Sequence, residues 1–152
     1  MNQLRYIVIG AAVVALIAVV AWWHQRQMVA ALPPRIVCTS LEDAWIKAGP
    51  TAIAILGTGS MAPYLPHAQD GQDPLKTVVG YAKPSGAAFS AIRKGDLVVY
   101  WAEWVNGNVM HQAAQHDSGG WIMSGLHNSQ SESFARVTAE SFRAVIGEVY
   151  VW

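Results

Sequence analysis

Ser60 and His111 are the two side chains whose types and surroundings could do chemistry together. Ser60 stands in Gly57-Thr58-Gly59-Ser60-Met61-Ala62-Pro63-Tyr64-Leu65-Pro66. The apolar run Ala52–Leu56 before it reads as a buried strand. Two glycines then bracket Thr58, and two prolines beyond the serine keep the chain extended and out of any helix or inner strand. A small hydroxyl at the mouth of a strand, on backbone that glycine makes permissive, is how a serine hydrolase exposes its nucleophile. The same letters also describe an ordinary Gly/Ser/Pro turn. A serine attacks a carbonyl only when a neighbour takes its proton. Candidate bases are His67, His111, His116, His127 and lysines such as Lys76, Lys83 and Lys94. His111 differs from the others because it lies mid-strand, between Val109-Met110 and Ala113-Ala114. A titratable ring there is either a satisfied core histidine or a catalytic base.

Composition narrows the function classes. The chain has 152 residues, room for one domain plus an appendage. It is 53% hydrophobic and only 13% charged, well below the usual quarter for soluble proteins. With zero formal net charge, no global field recruits nucleic acid. Cys38 is the single cysteine, so an internal disulfide and a cysteine-based metal site are excluded. His111 and His116 differ by an odd number on a strand and point to opposite faces, which argues against a metal cluster with Asp117 and His127. No metal and no cofactor is expected.

The elements that must position these residues follow in chain order. Tyr6–Trp23 is an uncharged apolar run closed by Trp22-Trp23, just long enough as a helix to cross about 30 Å of hydrocarbon. An uncleaved anchor is favoured over a signal peptide, because Trp22 through Arg26 make a bulky, polar approach to any cleavage site. Charge does not set its orientation: Arg5 precedes the span, and Arg26 and Arg35 follow it. Residues 1–23 are therefore tail and transmembrane anchor, 24–49 a linker with one short helix, and 50–152 a β-rich domain. The linker stiffens at Pro33-Pro34. Ser40 caps the helix, Asp43 is its capping-box acid and Gly49-Pro50 ends it, with Leu41, Trp45 and Ala48 on a core or membrane-facing stripe. Strands are predicted at Ala52–Leu56, Thr77–Tyr81, Asp96–Trp101, Asn108–Gln115, Trp121–Ser124 and Val145–Val151. Val105-Asn106-Gly107-Asn108 predicts a two-residue hairpin and Asp117-Ser118-Gly119-Gly120 a second turn. The fold class is mainly β. The tryptophans at 101, 104, 121 and 152 are assigned to core packing and membrane contact.

Several of these segments together resemble the type I signal peptidases, membrane-anchored serine proteases that cut leader peptides from exported proteins. Gly59–Leu65 is similar to their nucleophile box, with Tyr64 where threonine is usual. Lys94-Gly95-Asp96-Leu97-Val98-Val99-Tyr100 is similar to their Lys/Arg-Gly-Asp strand box. Val109-Met110-His111-Gln112 occupies the place of the general base, a histidine followed by arginine in the endoplasmic-reticulum-like branch; Gln112 replaces the arginine. Ser124-Gly125-Leu126-His127-Asn128 resembles the Gly-Asp-Asn box with Leu126 for its aspartate, and Ile146-Gly147-Glu148-Val149 resembles the closing strand. The resemblance implies a signal-peptidase-like β catalytic domain behind one N-terminal transmembrane helix, on the outer, periplasmic side of the inner membrane. It implies a Ser60/His111 dyad, with an oxyanion held by the Ser60 N–H and the Thr58 hydroxyl. Glu132 is the nearest acid for a third member. The partners it implies are the bilayer and an extended leader peptide, small at P1 and P3. That peptide would add alongside the strand before Ser60 and the one around Val78, Val79 and Tyr81, with Met61 and Pro63 in contact. A catalytically silent relative with a binding or structural role is the alternative, supported by Leu126, Gln112 and Tyr64.

Overall fold

A computed structural model describes residues 32–127 and 132–152. The apolar run 6–23 lies outside the described residues. Among those described, no helix is long and apolar enough to cross a membrane.

The elements are β1 (Arg35–Val37), α1 (Leu41–Ala48), β2 (Ile53–Leu56), β3 (Val78–Pro84), β4 (Leu97–Ala102), β5 (Gly107–Asp117), β6 (Gly120–Ser124), β7 (Glu132–Val137) and β8 (Phe142–Val151). The strands run β2-β3-β8-β4-β5-β6-β7, with β1 also on β8. Every pairing is antiparallel except β1 with β8. The protein is mainly β.

Strand β8 ties two halves together. Its first residues pair with β4, Val145 opposite Val98, and its last pair with β3 and β1. Gly147 sits where β8 passes from one half to the other. A Cβ there would lie 3.2 Å from both Cα and Cβ of Ser85, so any side chain would have to push Ser85 back by a few tenths of an ångström. One core of Val98, Tyr100, Ala113, Met123, Val137 and Val145 fills the β4–β7 half. A smaller one beneath α1 joins Cys38, Ala44, Ala48 and Tyr150.

Helix α1 starts and stops where capping chemistry requires. Ser40 Oγ accepts from Asp43 N–H at 3.1 Å, and Gly49, at φ 84°, donates to the Trp45 carbonyl. Asp43 reaches back to Thr39 N–H at 2.9 Å and takes Lys47 Nζ at 2.9 Å. Its inward face keeps Ala48 of the predicted stripe and adds Ala44. Ala44 and Ala48 are fully buried, while Leu41 and Trp45 are exposed. The helix approaches β3 and β8 closely enough that only methyl groups fit beneath it.

Several sequence expectations change. The segment assigned to a linker contributes β1: Pro34 O accepts from Val149 N–H and Cys38 N–H donates to Val151 O. A three-residue strand pairing in parallel with the far end of the chain leaves no local periodicity to detect. Strand β7 has no counterpart among the predicted strands. The β4–β5 connection is longer than two residues, because Ala102 pairs with Gly107; a 3-10 turn at Glu103–Val105 precedes Asn106, whose φ of 49° is left-handed. Residues 59–65 are not extended. Ala62 N–H bonds Gly59 O and Leu65 N–H bonds Met61 O, folding the stretch into successive turns. Trp101, Trp104 and Trp152 are exposed rather than core.

Two stability tests follow. Gln112 is fully buried on β5, and its Nε2 donates to Gly95 O at 2.9 Å, pinning the turn into β4. Gln112→Leu strands that carbonyl and should cost about 1–3 kcal/mol in denaturant unfolding. Arg136, with a bond from Gly119 N–H, lowers the Asp117 carboxyl; Lys47 and Thr39 lower Asp43; Tyr150 and then Lys83 lower Glu148. A lowered folded-state value gives stability that is complete above the ordinary carboxylate range, near 4, and disappears as pH falls through and below it. Thermal melting should therefore be flat near neutrality and decline on acidification. Asp117→Asn should make the decline shallower.

Candidate active site

Gly57 begins the turn that carries Ser60, and its environment explains why no larger residue stands there. Its N–H bonds Thr77 O and its carbonyl accepts from Ala68 N–H. An added Cβ would fall 2.5 Å from Ala68 N and 2.8 Å from Val79 Cγ1. Thr58 then points outward, Gly59 turns the chain at φ 81°, and Ser60 follows with its side chain half-buried. Thr58 Oγ1 and Ser60 Oγ are 3.4 Å apart. The Ser60 carbonyl is held by His127 N–H at 3.0 Å, which brings the loop after β6 onto the turn that carries Ser60. Among the described residues the Ser60 N–H has no acceptor. Tyr64, where the resembled box has threonine, donates to Pro33 O at 2.7 Å. Burial pushes its hydroxyl up to about 12, so it remains a donor at any physiological pH.

His111 arrives from the other half of the sheet. It lies on β5 opposite Val98 of β4 and is 5% exposed. Its Nδ1 is 3.2 Å from the Tyr100 hydroxyl. Gln112 faces the opposite side of the strand and serves the Gly95 turn, so the residue after the histidine is committed to structure.

The two groups meet at a cavity of about 830 Å³ lined by Ile55, Thr58, Ser60, Met61, Trp104 and His111, among others. Thr58, Ser60, Met61 and His111 are thus brought to one space from β2, its following turn, and β5. Ser60 Oγ bonds Thr58 and makes no hydrogen bond with His111. Catalytic contacts that are long in the empty state and tighten around substrate are common.

Other candidates sit elsewhere. Pro63, Val78, Val79 and Tyr81 do not line this cavity. Strand β3 pairs with β2 along Val78–Ala82 and with β8 from Gly80 to Pro84, so around Tyr81 both of its edges are taken. Tyr81 turns toward Trp45 and Trp152, ring centroids 5.3 and 6.2 Å away. Ala82 is the β3 residue that reaches the cavity. Among the described residues β1, β2 and β7 each pair on one side only, and of these β2 lines the cavity. Glu132 lies on β7, with its backbone opposite Met123 of β6. His67 and His127 are exposed, and His116 is exposed and edge-on to Trp121 at 5.1 Å. Cys38 is a small buried core residue.

Sequence reasoning missed Tyr100 and the Glu103–Asn106 loop. Tyr100 was accessible to period-two arithmetic, since it shares a strand face with Val98. The loop carries no comparable signal, because its place at the cavity depends on the β4–β5 register.

No family model, curated protein or solved structure matches the chain. Its chemistry must therefore be argued from its own residues.

Gly57→Ala gives the direct check on the turn. Overpacking against Ala68 and Val79 should cost about 1–3 kcal/mol of unfolding free energy. An unchanged denaturation midpoint would show that the turn yields without penalty.

Proposed function

We propose that this chain is a membrane-anchored serine endopeptidase resembling type I signal peptidases, with Ser60 as nucleophile and His111 as general base. The observation that carries the reading is the shared cavity of Ser60 and His111, lined in part by β2, an edge strand among the described residues. An extended peptide can add to that edge through backbone hydrogen bonds, with alternate side chains directed inward. Ile55, Met61, Leu65 and Val99 make the receiving wall apolar.

The steps follow from the groups present. Ser60 Oγ attacks the scissile carbonyl carbon as His111 takes its proton. The negative charge on the carbonyl oxygen is met by the Ser60 N–H and the Thr58 hydroxyl. Such a donor contributes about 2.7–4 kcal/mol. Collapse expels the amine, which takes the proton from His111, and leaves an acyl-Ser60. Water, deprotonated by His111, then releases the acid and restores the serine. Residues 6–23 would anchor the enzyme beside membrane-delivered substrates, with the β domain on the outer side of the inner membrane.

A second reading has its own support. Ser60 and His111 make no direct bond, and Leu126 stands where the resembled box has an aspartate, so a silent binding protein of the same descent is the alternative. Cleavage of a fluorogenic leader peptide with small P1 and P3 residues separates the two. Ser60→Ala and His111→Ala should each lower kcat by about 10⁴-fold or more. Wild-type cleavage that survives both substitutions would rule out the dyad, and absence of cleavage across a leader-peptide panel would favour the binding protein.

A further inference from the structure

The cavity shared by Ser60 and His111 has more room than small residues can use. It measures about 830 Å³, within the range that holds a drug-sized molecule. Alanines at P1 and P3 present only two methyl groups, which would leave most of the apolar lining against water. That lining includes Ile55 and Leu56 of β2, Met61 and Leu65 from the turns around Ser60, and Val105 and Val109 from the β4–β5 hairpin. Among the described residues no acid, lysine or arginine lines the cavity, and His111 is its one titratable side chain. A charged group entering it would lose hydration and meet no counter-ion.

We propose that the peptide taken at this site carries a bulky, uncharged apolar side chain into the cavity, in addition to small residues at P1 and P3. This preference rests on the peptidase reading given above and narrows its substrate class. An extended peptide fits both properties of the wall. Strand β2 pairs on one side only among the described residues, so it can receive the polar backbone, while alternate side chains turn into apolar surroundings. A lipid chain would match the apolar surface and make no use of the strand edge.

The groups that such a side chain covers are already exposed. Leu56, Leu75 and Val105 line the cavity and are 39%, 66% and 51% exposed, so they can be covered without moving the core. A leucine laid against them removes enough apolar surface from water to tighten binding by about tenfold or more over alanine. Glutamate of similar length should weaken it, because the site holds no cation to meet the carboxylate.

Calorimetric titration of the full-length Ser60→Ala chain in lipid nanodiscs tests this without cleavage. The probes are alanine-based peptides, with leucine or glutamate placed at one position at a time on either side of the alanines at P1 and P3. At one position or more, leucine should lower Kd by about tenfold or more, with a more negative heat-capacity change, and glutamate there should raise Kd. Leu75→Glu and Val105→Glu alter exposed side chains and should erase the leucine preference while leaving the all-alanine Kd unchanged. Equal affinity for alanine and leucine at every position would overturn the proposal, as would glutamate binding as well as leucine. Both comparisons need no cavity variant to fold. If Ser60→Ala still cleaves, the peptidase reading fails on its own, and the peptide series still decides what the cavity prefers. If Ser60→Ala is inactive and no position favours leucine, the peptidase reading stands and the preference falls.

Discussion

The hydrogen-bonding of β8 to β4 on one stretch and to β3 and β1 on another is the constraint on which the site depends. Ser60 follows β2, which reaches the rest of the sheet only through β3. His111 lies on β5, which reaches it only through β4. Both routes end on β8, so the cavity between them is set by the two registers along that one strand. Gly147, close against the Ser85 backbone at the changeover, shows how little space the seam leaves.

Within that frame, residues that looked like degraded motif positions have physical work elsewhere. Gln112 closes the Gly95 turn, and Tyr64 ties the turn around Ser60 to Pro33, just before β1. That turn is thereby held at several points: at Gly57 by Thr77 and Ala68, at the Ser60 carbonyl by His127, and at Tyr64 by Pro33.

The surface is less simple than the composition suggests. Large apolar residues are exposed in two places: Leu41, Trp45, Ile46 and Trp152 near α1, and Leu56, Leu75, Trp104 and Val105 around the cavity mouth. Helix α1 puts alanines inward and its larger residues outward, the reverse of an ordinary surface helix. The chain's high hydrophobic fraction is therefore spent partly on its exterior, beyond the apolar run at the N-terminus.

Local chemistry determined much of this protein directly from its residues. Short runs of branched and aromatic residues between turn clusters placed most strands, Ser40, Asp43 and Gly49 bounded the helix, and Gly57 through Ser60 marked the turn, because each depends on neighbours a few positions away. Tertiary structure alone decided the rest. Strand β1 exists only because β8 is there to pair with it, and β3 around Tyr81 is closed to a peptide only because β2 and β8 take both its edges there. Tyr100 meets His111 because of a cross-strand register, and Ser60 shares a cavity with His111 because β8 joins the halves. Contacts between residues distant in sequence have no periodicity to betray them; the folded chain had to bring them together.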